Sequence, residues 1–189
     1  KKSNITKVGF QKYIAPTAAA IGVKILDSVD EEIIGDGAFD AILNNKVLAA
    51  SFKAHSEAIP SIKEMKTLTQ KGCEIYVELL NEASAGKILG SIPVEFINDE
   101  ILMKISKTSI RKQEGPLELR NSKVSEHKFA DVVVGQCEKM SFNDLLKSID
   151  SSKVGDYFLE QAVKNPKVVQ QLKEEEGIDL KGTAVTEKG

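Results

Sequence analysis

The chain has 189 residues, 41% hydrophobic and 29% charged, with 13 Gly, 5 Pro and 2 Cys, which excludes collagen-like, disordered and disulfide-scaffold classes. It fits one compact domain, or a domain with a small helical appendage, that buries a core without metals or disulfides. Its 26 basic and 28 acidic residues leave a formal charge of −2, so no global field draws in nucleic acid or anionic lipid.

Residues 1–19 carry Lys1, Lys2, Lys7 and Lys12 without an acid and read as an N-terminal arm. The chain opens on Lys1-Lys2 and not on Met, so processing or trimming is expected to have removed the true start, and a leader ahead of Lys1 stays open. The compartment stays open with it, cytoplasmic or exported.

A β-rich core domain is predicted over 20–140. Gly22 to Leu26 makes a short strand, and an acidic segment follows with Asp27, Asp30, Glu31, Glu32, Asp36 and Asp40. Asp36 is placed to cap a helix near 37–45 through Ala38, Phe39, Ile42 and Leu43. From Lys46 to Cys137 the apolar spacing alternates, the pattern of strands with one face on a core. Cys73, Ile75, Val77 and Leu79 point one way, and Glu74, Tyr76 and Glu78 the other. Ile92, Val94 and Phe96 repeat the alternation, as do Ile101, Met103 and Ile105, with Asn98-Asp99 read as the hairpin turn between them. Lys71-Gly72 and Glu114-Gly115-Pro116 mark further turns, and strands are also expected near 46–54, 117–124 and 128–137.

Helical spacing returns over 141–177. Ser141-Phe142-Asn143-Asp144 is a capping-box start, ahead of Leu145, Leu146 and Ile149. Val154, Tyr157, Phe158 and Ala162 outline a second helix, and Asn165-Pro166 opens a third that Gly177 is expected to end. Residues 178–189 read as a flexible tail. The predicted fold class is therefore α+β: an antiparallel β-sheet or sandwich with one inserted helix and a C-terminal helical segment.

No motif reveals a function. The basic residues are 24 Lys with only Arg111 and Arg120, and Trp is absent, so bidentate recognition of phosphates or guanine edges has few tools and no nucleic-acid partner is expected. No apolar run approaches the ~20 residues of a membrane helix, so no membrane span is predicted. His55 and His127 are the only histidines, both in polar settings and read as solvent-facing. Cys73 and Cys137 read as buried thiols, with their pairing left open. These four residues have zinc-ligand chemistry but are scattered singly, without the close pairs of a knuckle, so no metal and no cofactor are expected. The acidic segment lacks the order of acids of a calcium loop, and Gly35-Asp36-Gly37 lacks the lysine of a phosphate loop.

Charge segregation is the remaining signal. Six acids from Asp27 to Asp40 against Lys24 give −5, while seven bases and three acids from Lys104 to Lys128 give +4. Such patches steer identical subunits head to tail, or neutralise each other within a monomer. The candidate contact residues are Asp30, Glu31, Glu32 and Asp36 on the acidic side and Lys104, Lys107, Arg111 and Lys112 on the basic side. The expected function is a non-enzymatic structural or protein-interaction subunit that forms homo-oligomers or joins other protein subunits. Tail-like or secretion-type assemblies offer an analogy at the level of fold alone. The rivals are a small hydrolase-like enzyme using His55 or His127 and a carrier of an apolar ligand.

Overall fold

The computed structural model describes residues 6–9, 12, 36–54, 62–63, 68–80 and 83–175. Helix makes up 66% of its interpretable part and strand 2%, with no sheet, which overturns the predicted α+β class and its antiparallel sheet or sandwich. After a helical turn at Lys7–Gly9, the described helices are α1 Asp36–Leu43, α2 Lys46–Ala54, α3 Gln70–Leu79, α4 Ala85–Ser91, α5 Asp99–Lys104 and α6 Lys107–Arg111. Next come α7 Glu126–Phe129, which continues as a π-helical stretch Ala130–Val134, then α8 Phe142–Ser148, α9 Asp156–Lys164 and α10 Pro166–Glu175.

The 73–79 alternation belongs to α3, where Tyr76, expected to face outward, is fully buried with Cys73, Val77 and Leu79. Short apolar runs look alike in a buried helix and a strand. The informative spacing is Glu74 to Glu78, four apart and thus on one helical face. In 101–105 Ile101 and Ile105 are buried as expected, but Leu102 is fully buried while Met103 is 59% exposed, which breaks the alternation on α5. Residues 46–54 form α2, and Ile92 to Phe96 turns through a 3-10 stretch, Val94–Phe96, after Pro93. In 128–137 the buried residues Phe129, Ala130, Val133, Val134 and Cys137 follow helical spacing.

The expected turns fare differently. Asn98 is the N-cap of α5, its side chain accepting from the Ile101 amide at 3.0 Å. Lys71-Gly72 lies inside α3. Gly115 does turn the chain, with φ at 73°, a left-handed conformation that suits glycine. The strand expected at 22–26 and the helix end at Gly177 lie outside the described residues, as do the tail and most of the arm.

Side-chain caps explain why so many short helices start where they do. Thr69, Ser84, Asn98, Ser106, Ser125 and Ser141 each accept from an amide in the first turn of α3, α4, α5, α6, α7 and α8 respectively. The capping box at Ser141 and Asp144 is present as expected. Pro166 opens α10, and Asn165 secures that junction: its amide donates to the carbonyls of Val134 at 2.6 Å and Cys137 at 3.1 Å, while its oxygen accepts from Lys167 N–H at 2.9 Å. Helix α9 is capped from outside, as Glu126 of α7 accepts from the Gly155 and Phe158 amides at 3.0 and 3.3 Å. A Cβ on Gly155 would lie 2.7 Å from that carboxylate oxygen, so a larger residue there would make the Glu126 side chain shift from its capping position.

One hydrophobic core runs from Phe39 to Leu172. α1 packs on α3, α3 on α5, α5 on α7, and α7 with its π-helical extension on α9, which meets α10. Phe39 contacts Tyr76 with ring centroids 5.2 Å apart, and Phe158 stacks on Phe129 at 6.0 Å while touching Phe142. Phe158→Ala is expected to destabilise the fold by about 3–5 kcal/mol in denaturant unfolding, because it opens a cavity between these rings. Far-UV circular dichroism should show a helical spectrum, and a sheet spectrum would contradict the architecture.

Candidate interaction site

Between α6 and α7 the chain runs irregularly from Lys112 to Ser125. After Lys112 and Gln113, whose amides still donate to α6 carbonyls, its buried amides must find acceptors elsewhere, because unpaired buried donors are costly. Leu117 N–H donates to the Ser148 hydroxyl at 2.8 Å and Leu119 N–H to the Ser148 carbonyl at 3.1 Å. Asn121 N–H reaches the Asp150 carboxylate at 3.2 Å, Lys123 N–H the Ile97 carbonyl at 2.8 Å, and Ser125 N–H Asp99 at 2.7 Å. Asn98 and Lys123 form an isolated parallel bridge. The predicted strand at 117–124 thus has real alternation, with Leu117 and Leu119 buried and Glu118 and Arg120 exposed, but its bonds go to loops and side chains.

This segment forms one wall of an open cleft of about 960 Å³. Leu89, Ile92, Pro93 and Ile97 contribute apolar surface, together with Pro116 and Leu117 across from them. Lys63, Glu95, Glu118, Arg120 and Lys147 supply charge, and Val94, also in the lining, is 39% exposed. Lys63 pairs with Glu118 at 3.5 Å. Arg120 and Lys147 make no ion pair among the described residues, and the Glu118 and Arg120 amides have no acceptor there.

The predicted contact residues scatter. Lys104 on α5 turns back to α3, bonding Glu78 and lying 4.0 Å from Glu74, and the Glu78 carboxylate holds its ammonium above the usual range. Lys107 and Lys112 are exposed at the two ends of α6, and Arg111 lies 3.5 Å from Glu138. Of the acidic set, Asp30, Glu31 and Glu32 lie outside the described residues, and Asp36 is the first residue of α1. Arg120 belongs to the basic segment but is not among its predicted contacts, and Lys147 lies outside that segment. The only sequence sign of the cleft is Pro93 and Pro116, each placed before an apolar residue.

His127 is exposed and its ring lies tilted against Tyr157 with centroids 4.2 Å apart, while the Tyr157 hydroxyl donates to Asp131 at 2.6 Å, which raises the phenol's pKa. His55 lies outside the described residues. Among the described residues no three His, Cys, Asp or Glu side chains gather to hold a metal, and no helix is long and apolar enough to cross a membrane. Cys73 and Cys137 are both buried free thiols. No family model, curated protein or solved structure matches the chain.

Burial pushes the Cys137 thiol from 9.0 up to about 11 and raises the Tyr76 phenol in the same direction. Below 9.0 both folded and unfolded chains keep the Cys137 proton, so the native state carries no penalty there. Between 9.0 and about 11 the unfolded thiol ionises first, and native stability falls as pH rises. The denaturant midpoint should drop across that window, with Cys137 slow towards thiol reagents until the chain unfolds. A flat midpoint with a fast-reacting native Cys137 would contradict the burial.

Proposed function

We propose that the chain is a non-enzymatic protein-interaction subunit that associates with copies of itself. The observation supporting this reading is that part of the basic segment has no ion-pair partner among the described residues. Lys107, Lys112, Arg120 and Lys123 are exposed and have no ion-pair partner among the described residues. The same sequence carries six acids between Asp27 and Asp40. Complementary patches on one chain favour heterologous contact between identical subunits.

The cleft fits this reading better than the rivals. It is open, whereas a carrier encloses most of its ligand's surface. His127 lies outside its lining and faces Tyr157. Sedimentation equilibrium across salt concentrations tests the proposal. Average mass should exceed the 20.6 kDa of one chain at low salt and fall towards it as salt screens the patches. A single-chain mass at every salt and protein concentration would overturn it.

A further inference from the structure

We propose that the cleft of one copy receives residues 25–34 of a second copy. This inference rests on the self-association reading and names the two surfaces that meet. Charge complementarity selects the guest. Its sequence, Ile25-Leu26-Asp27-Ser28-Val29-Asp30-Glu31-Glu32-Ile33-Ile34, has four acids, no base and apolar residues at both ends. The host lining has three bases to two acids, and two of those bases, Arg120 and Lys147, have no ion partner among the described residues. The apolar ends of the guest match the Ile92, Ile97 and Leu117 surfaces between those charges.

A main-chain guest suits the backbone as well. Leu117 and Leu119 spend their amides on Ser148, while the alternate amides of Glu118 and Arg120, whose residues line the cleft, have no acceptor among the described residues. Alternate amide donors without an acceptor among the described residues, along an irregular edge, match what added peptides exploit when they pair with a protein backbone. A volume of about 960 Å³ lies near the top of the range of roughly 300–1,000 Å³ typical of small-ligand sites, and its open form favours a chain passing through.

The test uses two full-length variants in sedimentation velocity. The host variant combines Arg120→Glu with Lys147→Gln. The guest variant combines Asp27→Lys, Asp30→Lys, Glu31→Lys and Glu32→Lys. Both host positions are exposed, so circular dichroism should match that of the parent chain. Each variant alone should associate at least about tenfold more weakly than the parent. Mixing the two should restore pairwise association, because the intact cleft of the guest variant then meets the intact residues 25–34 of the host variant. A host variant that assembles as the parent does would overturn this inference and leave self-association standing. A parent that stays monomeric would overturn both. Weakened variants that fail to recover on mixing would also overturn the pairing of these two segments.

Discussion

Residues 114–125 have no helix or sheet to satisfy their amides, and Ser148 supplies the fastening on which the cleft depends. Its hydroxyl accepts from Leu117 while donating to the Asp144 carbonyl at 2.6 Å, and its own carbonyl accepts from Leu119. Ser148 is fully buried, so the bonds it makes are shielded from competing water. Removing its hydroxyl would leave the Leu117 donor unsatisfied, at a cost of about 1–3 kcal/mol. Asp150, the Ile97 carbonyl and Asp99 continue the same accounting along the segment. The wall is thus an irregular strip held at nearly every second amide, with its side chains alternating between core and cleft.

The charges divide according to what the helices leave available. Lys104 is consumed by the acidic face of α3, where Glu74 and Glu78 lie one turn apart, and so serves the monomer. Lys139 likewise pairs with Glu114 at 2.6 Å, which lowers that carboxyl's pKa. These exposed pairs add little to stability. Of the basic segment, Lys104 is thereby engaged within the chain, and Arg120 is the member that lines the cleft.

The C-terminal helices are legible because their signals are local: the Ser141 and Asp144 box and the Asn165-Pro166 start announce themselves within a few residues. The helices between 46 and 134 are not, because apolar residues occupy more than one face of them and period-2 alternation competes with period 3.6. Tyr76 misleads the reading of α3, since a phenol hydroxyl suggests an outward position, whereas the whole side chain is buried and its ring packs against Phe39. Better guides are present in the caps. Thr69, Ser84, Asn98, Ser106 and Ser125 stand one residue ahead of their helices, and reading Asn98 as a hairpin turn conceals the start of α5. The cleft is hidden for a different reason. Lys63, Pro93, Arg120 and Lys147 are far apart in sequence, and only the path of 112–125 brings them to one surface.

The central claim is that the strip from Pro116 to Arg120 is a contact edge between copies of the chain. Amide hydrogen exchange, followed by mass spectrometry as protein concentration rises, tests it most directly. The account predicts that the Glu118 and Arg120 amides exchange fast in the monomer and become protected as association proceeds, while Leu117 and Leu119 are protected throughout. Association without any change in exchange at Glu118 and Arg120 would contradict it.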